Sequence, residues 1–323
     1  MRILLIAGAF AAVSWPGAPS LAQSYPVKPV RYVVAFAAGD SPDIVARLVA
    51  DRLTRMWGQQ VVVENRVGAG GTIAAAAVAN APPDGYTLFH CNIASSAIAA
   101  ALYPKLPYDP LRDFAMVSRI ATTANALIVH PSLPAKSVAE LIAYAKANPG
   151  KLSYGSPGVG TSPHLSMELF KSIAGINVVH IAYKGAMPAL ADVMGGQIPV
   201  MLANLPALLP HALSGKVRAL AVTSAKRTAQ LPAVPTMIES GVPGYVVTAW
   251  YGMCAPAGTP QPILEKLHAD LITTLQAQDV QQRLSDLVID VAPNNSRDEF
   301  TAFIRAEIGR WCEVIRTVGI PTQ

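Results

Sequence analysis

Residues 31–43 read RYVVAFAAGDSPD, an apolar run of strand type that leads through Gly39-Asp40-Ser41-Pro42 into an amphipathic helical pattern. Residues 152–163 read LSYGSPGVGTSP and repeat this order, ending in Gly160-Thr161-Ser162-Pro163. A serine before proline is held in an extended conformation, and proline is favourable in the first helical turn. Each segment therefore predicts a strand, a tight turn and a helix, with Ser41 and Ser162 as the expected N-caps.

The two predicted helix starts indicate a binding function. The beginning of a helix presents unpaired N–H groups and about half a positive charge, which favours an anion. Two such starts far apart in the sequence predict two lobes that close on one small acidic ligand.

The first 22 residues have the pattern of a signal peptide. Arg2 precedes an apolar stretch over residues 3–15, and Ser20-Leu21-Ala22 forms a small-x-small cleavage site. A membrane anchor is the alternative, but the apolar stretch is shorter than the ~20 residues that span a bilayer. The residue directly after the cleavage site is Gln23 and not a cysteine, so no lipid attachment is predicted. We expect cleavage after Ala22 and a soluble mature protein in the periplasm.

The charge and the cysteine content argue against a nucleic-acid partner, a zinc site and a disulfide framework. The 323-residue chain has a net charge of +5, and loss of Arg2 with the signal peptide would leave +4. This mild excess, without a dense basic cluster, predicts no nucleic-acid partner. Cys91, Cys254 and Cys312 lack CxxC spacing, which argues against a zinc site or a disulfide framework but leaves one bridge open. The isolated histidines predict no metal site, and no cofactor motif is found.

Strand-like and helix-like segments alternate along the chain, as in doubly wound α/β lobes with largely parallel sheets. Ligands of such folds lie at the carboxyl ends of strands, where both Gly-x-Ser-Pro turns fall.

Many ordered motifs resemble one family, the periplasmic substrate-binding receptors of tripartite tricarboxylate transporters, also called Bug receptors. These motifs are YPVKPVR (25–31), VVENR (62–66), GAGG (68–71), PDGYTL (83–88), ALYPKLPYDP (101–110), AYKG (182–185), WYG (250–252) and APAGTP (255–260). The resemblance spans nearly the whole mature chain.

The resemblance implies a two-lobed periplasmic binding protein with two interlobe crossings. Residues 23–121 and 252–323 would form lobe 1, and residues 122–251 would form lobe 2. The lobes would close over a small organic acid, such as a dicarboxylate or an aromatic carboxylate, and deliver it to membrane permease subunits. We expect a monomer that needs no cofactor. A periplasmic sensor subunit that presents its ligand to a signalling receptor is the alternative.

The candidate ligand-binding residues come from the two turns and from other strand ends. They are Phe36, Ala38, Gly39, Asp40, Ser41, Asp43, Asn92, Ser95, Ser156, Gly158, Gly160, Thr161, Ser162, His164, Tyr183, Asn204 and Trp250. The resemblance implies that Asp43 orients the binding loop. We expect Phe36 in the ligand wall and His164 packed between the lobes, while Trp250 fits ligand contact or core packing equally well.

Asp40 departs from the family pattern Pro-Phe-x-Pro-Gly-Gly-x-x-Asp, because it stands where a glycine is usual. It could face the cleft, where it would repel a carboxylate or pair with a ligand amine. It could instead cap its own helix. We favour the cap, and with it a plain organic acid over an amino acid.

A serine hydrolase is the enzymatic alternative. No Gly-x-Ser-x-Gly elbow is present, and Ser156 has no evident base in the sequence. The sequence therefore predicts a binding protein without catalytic residues.

Overall fold

The computed structural model describes residues 25–293 and 296–320, so the expected signal peptide lies outside the described residues. Strands and helices alternate as predicted and form an α/β fold of two lobes. Its strands are β1 (Val30–Val34), β2 (Val61–Asn65), β3 (Thr87–Asn92), β4 (Phe114–Val129), β5 (Ser153–Ser156), β6 (Val179–Ala182), β7 (Val200–Asn204), β8 (Arg218–Val222), β9 (Thr248–Pro256) and β10 (Ile289–Val291).

The sheets are mixed rather than largely parallel. In the first, β1 pairs in parallel with β2 and β3, whereas β9 lies antiparallel between β3 and β4. In the second, β5 pairs in parallel with β6 and β7, whereas β7 and β8 are antiparallel to β4. The long strands β4 and β9 account for the difference, because the alternation of strand and helix does not show their direction.

Strand β4 belongs to both sheets. It pairs with β9 as far as Ala124 and with β7 from Asn125 onward. Its sixteen residues are almost all buried, as expected for a strand covered on both faces.

The helices pack on the faces of the sheets. They are α1 (Ser41–Trp57), α2 (Thr72–Ala79), α3 (Ala99–Leu102), α4 (Val138–Ala147), α5 (Ser162–Ala174), α6 (Ala186–Met194), α7 (Leu205–Leu213), α8 (Gln261–Gln276), α9 (Gln278–Asp286) and α10 (Arg297–Val318). A π-helical segment, Ala94–Ile98, leads into α3. No helix among the described residues is long and apolar enough to cross a membrane.

Both signature turns form the predicted strand–turn–helix units, but the helices begin one residue earlier than expected. Asp40 and Thr161 are the N-caps, in extended conformation, so Ser41 and Ser162 are already the first helical residues. The expectation of serine N-caps is wrong because proline is accommodated equally well at the second helical position, where an N–H also lacks an intrahelical acceptor.

One disulfide joins the central strands of the first sheet. Cys91 on β3 and Cys254 on β9 are bonded, with Cα atoms 6.1 Å apart, and Cys312 is free and exposed. The bridge that the sequence left open therefore forms, between residues 163 positions apart.

Candidate functional site

A small cavity of about 20 Å³ lies between the lobes, with roughly the room of one water molecule. Both signature turns contribute to its walls. Its lining residues are Phe36, Asp40, Ser41, Pro42, Asn92, Ile93, Ala94, Pro157, Thr161, Ser162, Pro163, Ala186, Asn204, Ala249 and Tyr251. A wider cavity of about 430 Å³ shares Phe36, Pro157 and Thr161 with it and extends between residues 67–71 and 182–185. We call the two cavities together the cleft.

Nine of the predicted site residues line the cleft. Phe36, Asp40, Ser41, Asn92, Thr161, Ser162 and Asn204 line the small cavity, and Gly158 and Tyr183 line the wider one. The other eight lie behind it or away from it: Ala38, Gly39, Asp43, Ser95, Ser156, Gly160, His164 and Trp250. Ala38 and Gly39 are exposed on the outer side of the first turn.

Asp43 lies behind the first turn and holds it in shape. One carboxylate oxygen, Oδ2, accepts hydrogen bonds from the Gly39 amide and from Arg47 Nε, both at 2.9 Å. The other accepts from Asn65 Nδ2 at 2.8 Å, and the same nitrogen also donates to the Phe36 carbonyl. These bonds lower the pKa of Asp43 despite its burial, so it stays ionised.

Asp40 does not cap its own helix, so the expected cap is wrong. Its side chain makes no bond to the first turn of α1. Instead, Oδ1 accepts a hydrogen bond of 3.0 Å from the backbone amide of Ala186, at the start of α6. Asp40 accepts this bond because α6 begins directly opposite in the other lobe and the first amide of α6 has no intrahelical partner.

Burial raises the pKa of Asp40 to about 6, although the hydrogen bond from Ala186 favours the ionised form. The neighbouring carboxylate of Asp43 raises the pKa further. Asp40 is 3% exposed, and its Oδ2 has no hydrogen-bond partner among the described residues. The cleft thus contains a carboxylate of the protein with one oxygen unpaired.

The polar groups of the second turn form hydrogen bonds to one another. Thr161 Oγ1 caps α5 by accepting from the His164 amide and donates to the Gly158 carbonyl at 2.7 Å. The Gly160 amide points to His164 Nδ1 at 3.3 Å. The Gly160 amide is therefore already paired in this arrangement; a Cβ there would lie 3.3 Å from Leu102 and 3.5 Å from Tyr103 of the facing lobe.

Ser156 has a partner that the sequence did not reveal. Its Oγ lies 2.7 Å from His180 Nε2, and the His180 ring stacks on His164 with centroids 4.2 Å apart. Burial lowers the pKa of both histidines to about 4, so both are neutral at pH 7. Ser156 is fully buried and lines neither cavity, so its hydroxyl does not face the cleft.

Trp250 is a core residue. It is 1% exposed, donates from Nε1 to Glu307 at 3.1 Å, and packs edge-on against Phe300 and Phe303 of α10. Since side chains alternate along a strand, its neighbour Tyr251 faces the cleft instead.

A chain of polar side chains leads from the cleft into the core, and the sequence analysis missed two of its three members, Tyr251 and Asn125. Tyr251 Oη donates to Asn204 Oδ1 at 3.4 Å, and Asn204 Nδ2 donates to Asn125 Oδ1 at 2.6 Å. Burial raises the pKa of Tyr251, and nearby Asp40 raises it further, so the phenol stays protonated. Among the described residues no group of three His, Cys, Asp or Glu side chains could hold a metal ion.

The sequence profile described as "Tripartite tricarboxylate transporter family receptor" matches residues 45–320. This chain belongs to that family. The protein BugT of Bordetella pertussis is 37% identical to it over 322 residues, which cover 98% of each chain.

Two solved structures share the fold over their whole length. R. palustris Rpa4515 with adipate is 39% identical, with a TM-score of 0.89 over 92% of this chain and 99% of that one. MatC from Rhodopseudomonas palustris with bound malate is 34% identical, with a TM-score of 0.86 over 90% of this chain and all of the other. The chain is therefore a two-lobed solute-binding receptor and not an enzyme.

Proposed function

We propose that the receptor binds a small organic carboxylate in the cleft, between residues 23–121 with 252–323 on one side and 122–251 on the other. After export and cleavage behind Ala22, it would act in the periplasm and deliver its ligand to membrane permease subunits. The ligand needs no cofactor and undergoes no reaction.

The observation that carries the proposal is the meeting of helix starts at the small cavity. Its lining includes the first residues of α1, α5 and α6, namely Ser41, Ser162 and Ala186, together with Asn204, the N-cap of α7. Each start contributes a partial positive charge, and no lysine or arginine stands among the residues that line this cavity. A carboxylate that reaches Ser41 and Ser162 would be held by backbone dipoles rather than by an ion pair.

Binding requires movement of the lobes. The small cavity, at about 20 Å³, does not admit an organic acid, so the lobes have to move apart there before a ligand carboxylate can reach Ser41 and Ser162, and then close around it. Closure removes the carboxylate from water, which strengthens each hydrogen bond that a backbone N–H donates to it. The closed lobes also give the permease a distinct shape to recognise. Ligands of the two relatives, adipate and malate, support this chemical class.

The test is a thermal-shift screen of the mature protein with succinate, malate, adipate, benzoate, 4-aminobutyrate and 6-aminohexanoate. A ligand at about 100 times its Kd should stabilise the fold by roughly 2.7 kcal/mol, and chromatography should recover it unchanged. The uncharged amides of succinate, malate, adipate and benzoate are the matched controls and should give no shift. If no acid raises the Tm, or if the amides do so equally, the proposed function is wrong.

A further inference from the structure

The start of α6 in lobe 2 is covered by a carboxylate from lobe 1. The Ala186 amide donates to Asp40 Oδ1 across 146 positions of sequence, and Asp40 is almost completely buried there. An anion that neutralises a helix start from the opposite lobe occupies the place that a ligand anion could otherwise take.

The surroundings fit this side chain closely. Gly185, just before α6, has a φ of +130°, and a Cβ at that position would lie 3.0 Å from Asp40 Oδ2. A residue with a side chain at 185 would therefore push the carboxylate away. The absence of that side chain is what lets Asp40 approach the α6 backbone.

One buried carboxylate oxygen at the cavity, Asp40 Oδ2, has no hydrogen-bond partner of good geometry among the described residues. Asp40 is 3% exposed and lines the small cavity, and the backbone amides of Ala37 and Met187 also favour its ionised form. A buried carboxylate oxygen without a donor is unfavourable, so a ligand that brings a donor is favoured. A ligand that brings a second carboxylate meets a like charge.

We propose that Asp40 determines the specificity of the cleft: it supplies the anion at the start of α6, so the ligand is a monocarboxylate whose far end carries a hydrogen-bond-donating group, an ammonium above all. This inference rests on the proposed function and narrows its ligand class. It reverses the sequence-based preference for a plain organic acid, because that preference depended on Asp40 capping its own helix.

The experiment compares ligands that differ only at the far end. Calorimetry at pH 7.5 measures the Kd of adipate against 6-aminohexanoate, and of succinate against 4-aminobutyrate, for the native receptor and for Asp40→Gly. The native receptor should prefer the amino acid of at least one pair by at least about tenfold. Asp40→Gly should reverse that preference, because the Ala186 amide becomes available to the second carboxylate.

Two further variants separate charge from shape. Asp40→Asn keeps an acceptor for the Ala186 amide but removes the charge, so it should lose the preference for the amine without gaining a strong site for the dicarboxylate. Asp51→Asn removes one charge from an exposed position of the same helix and should leave all four Kd values within about twofold of native.

Each outcome decides the matter. If the native receptor prefers the dicarboxylates, or if Asp40→Gly binds them no more tightly than native, the inference is wrong. Binding of malate, benzoate or another screened acid would then leave the proposed function standing. Failure of every screened acid would remove the proposed function and this inference with it.

Discussion

The two signature turns share a sequence pattern and a strand–turn–helix backbone, yet their N-cap side chains do opposite things. Thr161 turns back and caps its own helix, α5. Asp40, its counterpart, leaves α1 uncapped and instead accepts from the first amide of α6 in the other lobe. The comparison teaches that a capping residue serves whichever unpaired amides lie nearest, including amides brought there by tertiary structure.

The largest expected effect concerns the cost of burying Asp40. Because its pKa is raised, the folded protein binds the proton more tightly than the unfolded chain, and native stability falls as the pH rises from about 4 to about 6. Asp40→Asn does not titrate. The free energy of unfolding of Asp40→Asn minus that of the native protein should therefore rise by about 1 to 3 kcal/mol between pH 4 and pH 7.

Chemical denaturation of both proteins between pH 4 and pH 8 measures this difference. Burial lowers the pKa values of His90, His164 and His180 to between about 3 and 4. Their protonation at acid pH destabilises both proteins equally, so it does not change the difference between the two. Asp43 and Tyr251, the other titratable groups that act on Asp40 or respond to it, are present in both. A difference that does not vary with pH would show that Asp40 is not buried as a carboxylate.

A second prediction contrasts the glycines of the two turns. Gly39 and Gly160 have φ values of +83° and +76°, so valine strains the backbone equally at both. Only Gly160 faces the other lobe, at Leu102 and Tyr103. Gly160→Val should therefore weaken binding of the best screened acid by at least tenfold, about 1.4 kcal/mol, whereas Gly39→Val should change it by less than about twofold.

Gly175 supplies the control for backbone strain alone. It ends α5 with a φ of +61° and has no atom within 4 Å of a Cβ position. All three valine variants should lose similar stability in denaturation. Equal affinities for Gly39→Val and Gly160→Val would mean that closure does not bring the second turn against lobe 1.

The smallest effect concerns the cap of α5. Thr161→Val removes the acceptor for the His164 amide at nearly constant volume, which should lower the free energy of unfolding by about 1 kcal/mol. The stability difference between Asp40→Asn and native should instead rise with pH. If the difference for Thr161→Val also rises by about 1 to 3 kcal/mol between pH 4 and pH 7, the two turns do not differ in the way described.

The sequence predicted what depends on neighbours in the chain. Strand, turn and helix at both turns follow from the apolar runs and the Ser-Pro pairs, and the family from its ordered motifs. Asp40 was assigned to the wrong helix because its partner lies 146 positions away. The bond between Cys91 and Cys254, and the contact between Ser156 and His180, likewise depend on which strands become neighbours.

Trp250 and Tyr251 show a second kind of limit. Both are large aromatic residues at the start of β9, and the alternation of a strand sends one into the core and the other to the cleft. Without the register of β9 against β3 and β4, composition alone could not say which one faces the ligand. Asn125 was missed because it lies in the middle of the long strand β4 rather than at a strand end.

The central claim is that the ligand carboxylate binds at the starts of α1 and α5, while Asp40 is hydrogen-bonded to the first amide of α6. Backbone amide NMR of the mature protein during titration with the best screened acid tests it most directly. The account predicts that the amides of Ser41 and Ser162 shift strongly with ligand, while the amide of Ala186 reaches the same bound-state shift with every ligand, because its partner is Asp40. An Ala186 shift that varies from ligand to ligand, without shifts at Ser41 and Ser162, would contradict it.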